Sequence, residues 1–197
     1  MCGIVGCLGR DDALDVLLDG LSTLEYRGYD SAGVALGNGR IDVVKRSGEL
    51  SGLRSALESA SSRPVGSVGI GHTRWSTHGR PTDANAHPHT DAAGRVAVVH
   101  NGIIENYRTL RDELEADGVT FTSETDTEVV PHLFARALET HAPVAAFRET
   151  VRRLDGSYAI AAVVAGDDRL FAARTTPRSY SGSATGRCTS RATCQRS

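Results

Sequence analysis

Strand-like runs in this chain come in adjacent pairs, and helix-like runs come in adjacent groups. SAGVAL (31–36) is followed at once by IDVVKR (41–46), with Gly37, Asn38 and Gly39 at the turn. GSYAIAAVV (156–164) is followed by RLFAAR (169–174) across Gly166, Asp167 and Asp168. Turn-linked pairs of this kind make antiparallel hairpins. They point to layered α+β architecture rather than strict βαβ alternation. The remaining elements fit the same picture. Residues 2–9 are small and apolar and read as a buried strand. Leu14, Leu17, Leu18, Leu21 and Leu24 recur at helical spacing, with Asp11 and Asp12 near the helix start. Further helices are expected at 49–60, 104–117, 126–140 and 144–154. Further strands are expected at 67–75 and at 95–100, the latter ending at His100-Asn101-Gly102. The polar stretch from 76 to about Gly94 reads as a long loop, and loops of that length in a compact domain are usually functional or disordered.

With 197 residues the chain suits one domain with a sizeable core. A formal charge of −2 gives no strong attraction to nucleic acid or to an anionic membrane. No apolar run is long enough for a membrane span, and no signal-peptide pattern opens the chain, so a cytoplasmic protein is expected. The four cysteines, Cys2, Cys7, Cys188 and Cys194, lack metal-site spacing, and Cys7 reads as a small buried hydrophobe. His87 and His89 sit two apart around Pro88, which is too few ligands for a metal site. His72 and His100 end strands and read as hydrogen-bonded structural residues. No metal or cofactor is expected.

The composition changes abruptly after Arg174. Residues 175–197 hold five Ser, five Thr and four Arg, with no Asp, Glu, Leu, Ile or Val. The net charge is −6 over residues 1–174 and +4 over the tail. One reading is a disordered extension. The other is an out-of-frame translation: with GC-rich codons and the frame moved back one nucleotide, the tail permits strand-like sequence such as SPLVLG. The expectation is a domain at 1–174 that is C-terminally incomplete, followed by an aberrant, disordered tail at 175–197.

Cys2 stands directly behind the initiator methionine. A thiol there is either a buried filler or a nucleophile that becomes the first residue once Met1 is removed. In the second case an α-amine of ordinary pKa about 7.7–8.0 sits on the same residue as the thiol, ready to take its proton. CGIVG alone leaves the two readings open.

Six strings fall in order over the first 130 residues: MCGIVG, LEYRGYDSAG, GHTRWSTHG, NAHPH, VVHNGIIEN and SETDTEV. Together they resemble the glutaminase domain of the glucosamine-6-phosphate synthase family, a resemblance that covers about residues 1–174. It implies a four-layer αββα sandwich of the N-terminal-nucleophile hydrolase type. It implies that Cys2 attacks the side-chain amide of L-glutamine, and that Asn101 and Gly102 form the oxyanion hole. It implies that Arg74, Trp75, Thr77, His78 and Asp126 hold glutamine, partly from a loop that closes over it. Arg74 would fork onto the α-carboxylate and Asp126 would meet the α-ammonium. Arg27 and Asp30 support the Cys2 strand. The expected partner is a sugar-phosphate isomerase module, absent from this chain, that turns fructose 6-phosphate and ammonia into glucosamine 6-phosphate. The intact family protein is expected to be a homodimer. Neither nucleic acid nor membrane is an expected partner. The alternatives are the glutaminase domain of a purine-pathway phosphoribosyl amidotransferase, or an inactive truncated glutamine-binding fragment. Beside these roles, Asn101-Gly102 also reads as a plain turn, Arg74 as a surface ion pair, Asp126 as a helix cap and Trp75 as core.

Overall fold

The computed structural model describes residues 2–60, 62–75 and 80–175. Thr77, His78 and the tail from 176 onward lie outside the described residues, as does the side chain of Arg27. Among the described residues, eight strands form two four-stranded sheets in which every pairing is antiparallel. The first sheet holds β1 (Gly3–Leu8), β2 (Ser31–Asn38), β3 (Arg40–Ser47) and β4 (Val68–Arg74), in the order β1-β4-β2-β3. The second holds β5 (His89–Thr90), β6 (Val96–Ile104), β7 (Gly156–Val164) and β8 (Leu170–Arg174), in the order β5-β6-β7-β8. Helices α1 (Ala13–Leu24) and α2 (Leu50–Ser59) cover the first sheet. Helices α3 (Tyr107–Ala116), α4 (Val129–Ala137) and α5 (Pro143–Arg152) cover the second.

Three apolar layers hold these four layers of structure together. Leu14, Leu17, Leu18 and Leu21 of α1 pack with α2 leucines onto Ala32, Val34 and Leu36 of β2. Phe134 and Phe147 meet Phe171 of β8 under the other helices, with ring centres 5.3–5.5 Å apart. Between the sheets runs a seam of Ala35, Val68, Ile70, Ala97, Val99, Ala161 and Val163. The outer layers are rich in Leu and Phe, whereas the buried seam holds only Ala, Val and Ile.

Strand alternation explains how one sequence serves two layers. In β4, Val68 and Ile70 face the seam while Gly69 and Gly71 face α1. A Cβ on Gly69 would stand 2.8 Å from a methyl of Leu17, and one on Gly71 would stand 3.1 Å from Leu21. The missing side chains let the helix lie close on the sheet.

Several boundaries differ from expectation. The helix expected at 104–117 begins at Tyr107, and the β2–β3 turn narrows to Gly39, with Gly37 and Asn38 in β2. Strand β6 runs to Ile104, so Asn101 and Gly102 do not follow a strand end; they pair with Ala159 and Tyr158 of β7. The long polar loop contains β5, whose two residues pair with Ala97 and Val98. The expected helix at 126–140 opens with a 3₁₀ turn at Asp126–Glu128 and ends at Ala137. Asp12 does not cap α1 through its side chain, because its carboxylate is engaged by Arg10 at 2.7 Å.

Candidate active site

Antiparallel pairing brings the start of β1 and the end of β4 to the same end of the sandwich. Gly3 pairs with Thr73, so Cys2 lies one step beyond, beside Arg74 and Trp75. The Trp75 backbone N–H donates to Cys2 Sγ at 3.2 Å, and Sγ lies 3.6 Å from the Trp75 carbonyl oxygen. Trp75 is not core: 42 % of it is exposed, and its ring meets Tyr29 edge-on at 5.2 Å. Cys7, further along β1, is buried as expected.

The second sheet supplies Asn101. Its Nδ2 donates to the Cys2 carbonyl oxygen at 3.1 Å, and its Oδ1 lies 2.8 Å from His72 Nε2. Gly102 takes φ +118°, where glycine is favoured, and a Cβ there would stand 2.1 Å from the Ser157 carbonyl oxygen. Only glycine fits this turn of the strand.

Arg74 is buried rather than a surface ion-pair residue. Burial pushes its guanidinium pKa down, against the pull of Cys2, Asp30 and Asp126. Asp126 Oδ2 accepts the Ile104 N–H at 2.8 Å, which ties the 3₁₀ turn to the end of β6. Its other oxygen lies 3.9 Å from His100 Nδ1. The residue does not cap a helix through its side chain; Thr125 occupies the cap position. Cys2, Arg74, Trp75, Asn101, Gly102 and Asp126 thus come together at one end of the molecule. Asp30 donates its backbone N–H to the Arg74 carbonyl at 3.1 Å, and a Cβ on Gly28 would strike that carbonyl group at 2.6–2.7 Å. Gly28 and Asp30 of the RGYD stretch are therefore packed directly against the Arg74–Trp75 backbone.

Behind these residues lies a buried polar layer that was not expected as a unit. His72, His87, His89 and His100 are all buried. The His72 and His87 ring centres are 4.3 Å apart, and those of His87 and His89 are 4.8 Å apart. Thr127 Oγ1 meets His87 Nε2 at 3.0 Å and His100 Nδ1 at 2.8 Å, and Thr125 Oγ1 meets His89 Nε2 at 3.1 Å. Burial pushes His72 down to about 4 and holds His87 and His89 well below the ordinary histidine value. His100 is also lowered by burial, with Asp126 opposing. Burial pushes the Glu128 carboxyl up, but neighbouring His132 and donors from Ser123 and Thr122 outweigh it and hold the group well below the carboxylate range. Lys45 donates to the carbonyls of Ala84 and Ala86 at 3.3 and 2.7 Å, and burial lowers it to about 8. Among the described residues, no group of three or more His, Cys, Asp or Glu is arranged to hold a metal ion. The alternating hydroxyls of Ser123, Thr125 and Thr127 were the available signal for this layer.

Comparison with known proteins gives a consistent result. Residues 72–177 match the family described as a glutamine amidotransferase domain. The chain is 60% identical over 177 residues to the glutamine–fructose-6-phosphate aminotransferase [isomerizing] of Symbiobacterium thermophilum, which covers 88% of this chain and 28% of that protein. It is 55% identical over 180 residues to the protein of the same name from Halobacterium salinarum, again 88% of this chain and 28% of the other. The chain thus spans under a third of the length of these curated relatives. Among solved structures, the glutamine phosphoribosylpyrophosphate amidotransferase of B. subtilis matches with TM-score 0.70 and 26% identity, over 83% of this chain and 35% of that one.

Proposed function

Because the chain belongs to the glutamine amidotransferase domain family, we propose that Cys2 is its nucleophile and that it hydrolyses the side-chain amide of L-glutamine. The observation that carries this is the placing of the Cys2 thiol against the Trp75 N–H, with the Asn101 amide on the Cys2 carbonyl. Removal of Met1 frees the Cys2 α-amine, which takes the thiol proton. The thiolate attacks the amide carbon, ammonia leaves with the returned proton, and water cleaves the γ-glutamyl thioester. Negative charge on the tetrahedral oxygen is met by Asn101 Nδ2–H and the Gly102 N–H. An amide nitrogen carries two hydrogens, so Asn101 can hold the Cys2 carbonyl with one and the oxyanion with the other. Arg74 pairs with the glutamine α-carboxylate, joined by Thr77 and His78, and Asp126 pairs with the α-ammonium through the oxygen not held by Ile104. Trp75 covers the site, and Arg27 supports the Cys2 strand.

The reading takes residues 1–174 as the glutaminase domain and 175–197 as the tail, with Thr175 at the boundary still bonded back to Gly156 and Tyr158 of β7. The names of the relatives support fructose 6-phosphate as the amino-group acceptor and an isomerizing step; the same reading assigns that step to a sugar-phosphate isomerase module outside the matched region and the work to the cytoplasm. The phosphoribosyl amidotransferase alternative has weaker support, at 26% identity against 60%.

The test is release of ammonia and glutamate from glutamine by protein whose N-terminal residue is shown by mass spectrometry to be Cys2. Cys2→Ala is expected to lower the rate by on the order of 10³-fold or more. Glutamine binding with no turnover, and no difference between wild type and Cys2→Ala, would identify a non-catalytic binding module instead.

A further inference from the structure

We propose that His72 is a positioning residue for this site: its imidazole fixes the Asn101 amide in the one orientation that aims N–H, rather than C=O, at the reacting oxygen. The inference rests on the glutaminase reading. It starts from strand alternation. His72 shares a face of β4 with Val68 and Ile70, and Asn101 shares a face of β6 with Ala97 and Val99. Both faces meet at the seam. The 2.8 Å contact between His72 and Asn101 is therefore a polar bridge between the two sheets at the end of an apolar layer.

The polarity of that bridge follows from its far end. The Cys2 carbonyl can only accept, so the Asn101 atom 3.1 Å away is the amide nitrogen. The amide oxygen then faces His72, and His72 Nε2 carries the proton that it accepts. The other tautomer would set a lone pair against Oδ1. The amide would turn over to relieve this, presenting an oxygen both to the Cys2 carbonyl and to the oxyanion. One proton on His72 thus decides whether Asn101 stabilises or opposes the developing charge.

The surroundings hold the imidazole still and neutral. His72 is 1 % exposed, and the His87 ring leans on it at 4.3 Å. His87 is itself bonded to Thr127 Oγ1 at 3.0 Å. The His87 carbonyl oxygen lies so near Gly33, on the strand beside β4, that a Cβ there would stand 2.1 Å from it. Burial pushing His72 down to about 4 keeps it a single-proton imidazole at neutral pH.

The experiment is a double-mutant cycle on the full chain, with kcat and KM for glutamine measured separately. His72→Phe is expected to lower kcat about a hundredfold, the scale of one lost oxyanion donor, with KM little changed. In an Asn101→Ala background the same change is expected to add no further loss. His72→Gln, which can offer an N–H at the same reach, is expected to restore kcat to within about tenfold of wild type. Equal losses from His72→Phe in both backgrounds would overturn the proposal. Nitrogen NMR of the wild-type imidazole supplies a readout that needs neither folding of a variant nor turnover. A protonated Nε2 with a bare Nδ1 at pH 7 supports the proposal, and the opposite tautomer overturns it. If the chain hydrolyses no glutamine, or Asn101→Ala leaves kcat intact, the failure belongs to the glutaminase reading, and the NMR result still decides the orientation of His72.

Discussion

Acidification from pH 7 to pH 5 should destabilise this protein well before its carboxylates protonate. Burial holds His72 at about 4 in the fold, whereas an unfolded chain has histidine near its ordinary value of 6.5. Above pH 6.5 both states are neutral and the residue contributes no slope. Below it the unfolded state takes up a proton that the folded state refuses, and stability falls by about 1.4 kcal/mol per pH unit. By pH 5 His72 alone removes about 2 kcal/mol, a large share of a typical 5–15 kcal/mol. His87 and His89 are also held well below the ordinary value and act in the same direction. His100 adds to them less simply, because Asp126 partly offsets its burial. The positive charges of Lys45 and Arg74 beside the cluster oppose protonation further. Lys45, lowered only to about 8, stays charged in both states from pH 5 to 7 and adds no slope. Glu128, held below the carboxylate range, contributes stability that is lost only as pH falls below its unfolded value of about 4.5. The assay is urea unfolding at half-unit steps from pH 7.5 to 4.5. The slope should exceed that of one proton, and His72→Gln should reduce it by about one proton. A free energy flat from pH 7 to 5 would refute the account of a neutral, buried histidine layer.

Two further predictions concern packing. Gly33→Ala places a Cβ 2.1 Å from the His87 carbonyl oxygen and 2.6 Å from Lys45 Cβ, and should cost about 3 kcal/mol or more in urea unfolding; an effect below 1 kcal/mol would show that the segment moves aside freely. Phe134→Ala removes a fully buried ring from contact with Phe147 and Phe171, and should cost about 3–5 kcal/mol at an unchanged m-value.

The parts of the fold that were legible are those whose signal is local. The leucine spacing of α1 and the turn glycines of the β2–β3 and β7–β8 hairpins are carried by neighbouring residues, and these elements lie where expected. Asn101-Gly102 was misread because Asn-Gly is also turn chemistry. What keeps it in a strand is pairing with β7, more than 50 residues away, and no local pattern carries that. Strand β5 is likewise defined only by its partners on β6. Six residues singled out by the motifs, Cys2, Arg74, Trp75, Asn101, Gly102 and Asp126, meet at one end of the sandwich. The buried histidine–hydroxyl layer behind them was not legible, because residues such as Thr127 and Lys45 look like surface residues in the sequence. Thr127 bonds His87, and the half-buried Lys45 reaches the carbonyls of Ala84 and Ala86, so both depend on contacts with the distant 83–90 segment.

The thin seam between the sheets sets a manufacturing tolerance for the site. His72 and Asn101 hang from opposite sheets and must close a gap of hydrogen-bond length. Ala35, Ala97 and Ala161 act as shims that fix how far apart their supports stand. Because packed interiors transmit a displacement rather than absorb it, one added methylene at Ala97, four residues from Asn101 along the same face, would be felt at the far end as a misaligned donor. The helix-facing layers can exchange one large apolar side chain for another at small expense. The seam has no such latitude. Drift during evolution should therefore be recorded in the outer layers and be nearly silent in the shims.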